Sequence, residues 1–170
     1  MTLERPIPSE RDFAALGMAV TACAGLENTL RYTYVLTKLN GKAVDVDHQP
    51  ILFGAHKSGL PNLIRHINIK VESSQELTQP EKNYLNTIFK GQDGSSIDCN
   101  FVVWRNVLCH APMAAIDGGK LYFRFSDQAV FLSLPGSNPY EKETSHEELR
   151  IVAKSFSEAS RLLRLAFVER

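Results

Sequence analysis

Along most of the chain apolar residues return every three or four positions, and over one short stretch they alternate with polar ones. The first rhythm marks helices that bury one face, the second a half-buried strand. Leu16, Val20, Cys23, Leu26 and Leu30 set the first helix. Ser9 is placed to cap it, Glu10 and Asp12 sit in its first turn, and Asn40–Gly41 ends it after about thirty residues at most. That length suits a bundle helix rather than a βαβ crossover. Residues 41–50, GKAVDVDHQP, read as a loop. A second helical region runs from about Ile51 to Val71, broken at Ser58–Gly59–Leu60–Pro61. Pro61 fits the first position of the restarted helix, because its missing N–H would be unpaired there anyway. Leu60, Leu63, Ile64 and Ile67 make the buried face.

Glu72–Thr78 reads as a polar loop whose last residue caps a short helix with the apolar stripe Tyr84, Leu85, Ile88 and Phe89. GQDGSS, residues 91–96, is the clearest breaker in the chain. Ser95, with Asp98 three residues on, then opens a helix from Ile97 to about Ala111. Pro112 stops it, since the residue before a proline is disfavoured in the α region. Lys120–Phe125 and Ala129–Leu134 alternate and are rich in Phe, Tyr, Val and Leu, so they predict a β-hairpin, with 135–143 as a loop. Ser145 and Glu148 form a capping box for a last helix carrying Leu149, Val152, Phe156, Leu163 and Phe167. The expected fold class is mainly α. One domain over residues 1–170 forms a bundle of four to five helices, with a small β-hairpin at about 120–134 inserted before the last helix.

Composition narrows the function classes. Of 170 residues 44% are hydrophobic and 22% charged, ordinary for a globular domain with a real core. Lys plus Arg equals Asp plus Glu at 19 each, which argues against a polyanion-coating surface and leaves room only for a local basic cleft. Cys23, Cys99 and Cys109 form no CxxC pair and are odd in number, against a disulfide framework or zinc finger and in keeping with a reducing cytoplasm. The opening MTLERPIPSERD is charged and unlike a secretory signal, and Phe13–Ala24 is short and rich in Ala and Gly for a membrane span. The expected location is cytoplasmic, with no membrane partner, no cofactor and no metal.

The chemistry concentrates in Trp104–His110, WRNVLCH. Asn106 and His110 are four apart and share one helix face, and the long Arg105 side chain can swing onto it. His110 lies in the last turn, where the helix dipole favours an imidazolium. An imidazole that titrates near neutrality, a guanidinium that does not, and an amide to orient either one suit phosphate handling. Metal-free RNA cleavage fits such a set. His110 would take the proton of the ribose 2′-hydroxyl, or hold it. Arg105 would stabilise the pentacovalent phosphorane, and Asn106 would fix the imidazole tautomer or bind a phosphate oxygen. One copy supplies few donors, whereas two copies across a two-fold axis would supply two Arg and two His in one basic seam.

Arg105-Asn106-x-x-x-His110 near the end of a bundle helix resembles the Arg-polar-x(3–5)-His signature of the HEPN superfamily. The long first and last helices also look like that bundle. The resemblance implies a small helical domain of the metal-independent ribonuclease type found in toxin–antitoxin, defence and RNA-processing systems. It implies a homodimer whose two motifs form one active site, with RNA as substrate and an antitoxin as a cognate partner. Arg105 and His110 would be catalytic, with Asn106 in the polar position after the Arg. Non-catalytic members of the family exist, so a nucleotide-binding or scaffold module is the alternative. The hairpin directly after the motif departs from simpler members.

Other polar residues read as structural. Glu27 and Arg31 have the spacing of a solvated surface ion pair. Cys109 reads as a small core residue, because adjacent helix positions point about 100° apart and keep it from pairing with His110. Lys57, Arg65 and Lys70 read as a solvated face. His56 and His66 have no zinc spacing, and His48 and His146 suggest nothing. Phe101, Trp104 and Leu108 belong to core or dimer packing. Tyr122, Phe123, Phe125 and Phe131 should bury one hairpin face.

Overall fold

The computed structural model describes residues 9–40, 59–90, 100–111, 113–117, 120–124, 137–138 and 140–169, with the helical residues Gly54 and Lys57. The strand expected at 129–134, the Ser95–Asp98 cap, His48, His56 and Cys99 lie outside them. Helix α1 spans Glu10–Leu39. The Ser9 hydroxyl accepts the Asp12 N–H, and the Asp12 carboxylate takes the Ser9 N–H in return. That reciprocal cap satisfies two of the donors a helix start leaves over. At the other end Asn40 turns left-handed at φ 50° and closes the helix on the Leu36 carbonyl. Helix α2 spans Leu60–Ser73, so it opens one residue before Pro61, which was expected in the first position. Helix α3, Gln79–Lys90, buries Leu85, Ile88 and Phe89. The Thr78 N–H and hydroxyl both bond Glu81 Oε2 at its start.

Helix α4 holds the motif and spans Phe101–His110, shorter at its start than Ile97–Ala111. Asn100, not Ser95, caps it by accepting the Val103 N–H at 3.1 Å. Ala111 is extended at φ −86°, ψ 117°, as a residue before proline prefers. Helix α5, His146–Phe167, ends the described chain.

The mainly α fold with a small antiparallel hairpin before the last helix is as expected, but the strands that form it differ. Strand β1, Met113–Asp117, pairs antiparallel with β2, Lys120–Arg124, so the hairpin begins one strand earlier than alternation predicted. The other edge of β2 pairs with β4, Glu141–Ser145, and short β3, Ser137–Asn138, completes the order β1-β2-β4-β3. Strand β4 lies mostly within the segment read as a loop. Its sequence EKETS lacks an apolar residue, yet Lys142 and Thr144 point inward. Both bond Glu148: Lys142 Nζ reaches Oε1 at 2.9 Å and Thr144 Oγ1 reaches Oε2 at 2.5 Å. The capping box at Ser145 is therefore half formed. Ser145 Oγ accepts the Glu148 N–H, but the Glu148 carboxylate serves β4 instead. Lys142 is 2% exposed and lies 5.7 Å from the centre of the Trp104 ring, so a strand without apolar residues closes the core beside α4.

The most extensive contact joins α1 to α5. Asp12 meets His146 and Thr29 meets Ser160, so the two helices run in the same direction. Phe101, Trp104, Val107, Phe156 and Leu163 are buried around the α4–α5 contact, with Phe101 set edge-on to Phe156 at 5.2 Å. Leu121 and Phe123 give the buried sheet face that hairpin alternation predicted. By length and composition alone α1 could cross a bilayer. In this fold its Ala15, Ala19, Cys23, Leu26 and Leu30 edge packs in the core, while Phe13, Met18 and Tyr32 are exposed.

Candidate active site

Core packing sets the motif's direction. Trp104 and Val107 are fully buried and fix the rotation of α4. Arg105 and Asn106 then fall on its half-exposed flank, and Cys109 and His110 on the exposed end. The fold therefore presents all three motif side chains on one side of the helix end. Arg105 Nη1 lies 3.1 Å from His110 Nε2 and 3.5 Å from Asn106 Oδ1. A guanidinium only donates, so a hydrogen bond in this contact needs His110 Nε2 as the acceptor, with the ring proton on Nδ1. The Asn106 bond is at the long limit, and it goes to Arg105 rather than to the imidazole.

The residue that holds this arrangement comes from α1, 78 positions away in sequence. Glu27 Oε2 accepts from Arg105 Nε at 3.1 Å, and Glu27 Oε1 accepts from Arg31 Nη2 at 2.7 Å. The expected surface pair is thus one half of a carboxylate bridge between two arginines. Glu27 is 19% exposed and Arg105 29%, so the bridge is partly desolvated and directional. Burial pushes the Glu27 carboxyl up, but the hydrogen bonds and charges of Arg31 and Arg105 outweigh it and hold it below the usual carboxylate range. Arg31 and Arg105 thus set two cations against the single Glu27 carboxylate. Glu27 engages Arg105 through Nε, and the motif engages Nη1. Arg105 Nη2 has no partner among the described residues.

The expected roles divide accordingly. Arg105 and His110 are brought together, and Asn106 joins them through Arg105. Sequence reading missed Glu27 as a partner of the motif. A signal existed: Glu27 sits between the core positions Cys23, Leu26 and Leu30, one step from the buried stripe of α1. Cys109, read as core, is exposed, because Trp104 and Val107 turn it outward. His146, read as idle, pairs with buried Asp12. His66 is half-buried against Tyr34, bonds Thr37 Oγ1 at 2.8 Å, and is held below its ordinary pKa by burial and by Lys38 and Lys70. Arg65 lies on the exposed face of α2, where it donates to Asn62. Among the described residues, no three His, Cys, Asp or Glu side chains converge to hold a metal ion. The chain matches no family model, no curated protein and no solved structure.

Proposed function

We propose that this protein is a metal-independent endoribonuclease of HEPN type, acting as a homodimer whose two Arg105–Asn106–His110 clusters form one RNA-cleaving site. The observation that carries the reading is the 3.1 Å contact between Arg105 Nη1 and His110 Nε2 on an accessible helix end. In the resting site Arg105 engages the imidazole lone pair. An arriving phosphodiester draws the guanidinium onto its own oxygens, and Nη2 is placed for the first of those bonds. The freed Nε2 then accepts the 2′-hydroxyl proton as that oxygen attacks phosphorus and the 5′-oxygen leaves. Arg105 stabilises the charge on the phosphorane, and the second subunit protonates the leaving oxygen from its own His110, which enters the step as an imidazolium and leaves it neutral. Asn106 orients Arg105. The resemblance further suggests a toxin or RNA-processing role in the cytoplasm, with an antitoxin as partner of a toxin.

The test is cleavage of a labelled RNA in chelator, with Arg105→Ala and His110→Ala proteins shown to be folded and dimeric. Either change should lower the rate by about a hundredfold or more. Cleavage at the unchanged rate would overturn the reading. A second reading has one observation in its favour. Glu27 neutralises much of Arg105, as in a non-catalytic module whose cluster binds a nucleotide or cements a dimer. Nucleotide binding or dimerisation that depends on Arg105, without cleavage, would select it.

A further inference from the structure

Two sulfurs flank the Glu27–Arg105 bridge. Cys23 precedes Glu27 by four residues on α1, and Cys109 follows Arg105 by four on α4. Glu27 and Arg105 are bonded, and Cys23 and Cys109 are near enough for their charges to act on each other. Phe101 meets Phe156 while Trp104 meets Lys142 near the start of α5, so α4 runs antiparallel to α5 and hence to α1, and four steps back from Glu27 match four steps forward from Arg105. Helices in contact have axes about 8–10 Å apart and Cα atoms about 2.3 Å from each axis, which brings Cα atoms on the contact line to roughly 3.4–5.4 Å. A disulfide needs Cα atoms about 4.4–6.8 Å apart. The two thiols also differ in access, since Cys23 is buried at 1% exposure whereas Cys109 is exposed.

We propose that Cys109 and Cys23 form a thiol-modification site. In it Cys109 exchanges with a low-molecular-weight disulfide such as glutathione disulfide, and Cys23 resolves the adduct into a bond between α1 and α4. In the first step the Cys109 thiolate attacks one sulfur of glutathione disulfide, forming the mixed disulfide and expelling one glutathione thiolate. In the second the Cys23 thiolate attacks the Cys109 sulfur and expels the second. The protein loses two thiol protons and two electrons, and the small disulfide is reduced to two thiols. Access sets the order, because a solvent-borne disulfide reaches Cys109 and not Cys23. Burial pushes the Cys23 thiol up to about 12, with the Cys109 and Glu27 charges adding to the rise and Arg105 opposing it. Capping Cys109 removes its charge, so the adduct itself eases ionisation of the resolving thiol. The chemistry is independent of the ribonuclease reading, although the crosslink would lie one helical turn from Arg105 and beside His110.

The experiment treats the full chain carrying Cys99→Ser with glutathione disulfide and follows intact mass and non-reducing peptide maps. Parallel samples carry Cys23→Ala or Cys109→Ser in addition. The expected product is a Cys23–Cys109 peptide pair, reversed by reductant and formed faster at about pH 9 than at about pH 7. With Cys23→Ala the glutathione adduct should stop at Cys109, and with Cys109→Ser the protein should stay unmodified. A persistent adduct on Cys109 at alkaline pH with Cys23 present would overturn the proposal, as would modification of Cys23 when Cys109 is absent. If Cys23→Ala fails to fold, the peptide map of the parent and the Cys109→Ser sample still decide it.

Discussion

Glu148→Ala should cost more stability than its surface-like sequence context suggests. Glu148 takes Lys142 Nζ at 2.9 Å and Thr144 Oγ1 at 2.5 Å, and Lys142 is 2% exposed. Removing the carboxylate takes the hydrogen-bonded anion away from an ammonium that sits in the core beside the Trp104 ring. Breaking a buried pair in this way costs about 3–5 kcal/mol. In a domain of this size each kcal/mol moves the midpoint by about 2–4 °C, so the melting temperature should fall by roughly 6–20 °C. Lys142→Met keeps the stem against Trp104 and leaves Glu148, at 15% side-chain exposure, able to regain water. Its cost should be smaller, about 1–2 kcal/mol. Lys142→Met with Glu148→Leu should recover most of the loss, because a well-packed apolar pair avoids the desolvation of both charges. The assay is urea denaturation of the four proteins, with each loss read against the parent. A loss below about 1 kcal/mol for Glu148→Ala would refute the reasoning, since it would mean that Lys142 reaches water at little cost.

Two further outcomes follow from the site and from α1. Glu27→Gln keeps the shape of the bridge but loses its charge. It should cost about 1 kcal/mol of stability at these exposures and, on the ribonuclease reading, lower kcat by about tenfold to a hundredfold through a misplaced Arg105. Unchanged kcat would show that Glu27 does not position the guanidinium. Asp12 is held low by the Ser9 hydroxyl and N–H, with burial opposing and His146 assisting. A carboxyl lowered in the folded state binds fewer protons there than in the unfolded chain. Its stabilisation is present above the unfolded value and is lost as pH falls through the folded one. Urea midpoints measured from about pH 6 down to about pH 2 should therefore drop for the parent, and more shallowly for Asp12→Asn. Parallel curves would remove Asp12 from the acid response.

The amino-acid sequence by itself determined the helices and most of their ends. Ser9, Asn40, Pro61, Thr78 and Ser145 act on backbone groups within about four residues, so their effect is legible without the fold. The apolar stripes of α2, α3 and α5 likewise needed only the helical period. The motif on α4 was legible as three residues on one helix, and the fold places all three on its accessible flank. What only the tertiary structure decided lies between elements. Strand β4 was invisible to a search for apolar alternation because its inward positions are Lys142 and Thr144, and those are tolerable only because Glu148 waits on α5. Periodicity tells which face of a helix is buried, but not which neighbour covers the edge of that face. Glu27 therefore read as a surface carboxylate until α4 was laid antiparallel to α1. The same register turns Cys109 outward beside buried Cys23 and gives Arg105 a fixed carboxylate partner. Local backbone chemistry wrote the helices, and the rotation and register of α1 against α4, set by packing around Trp104 and Leu26, assembled the site.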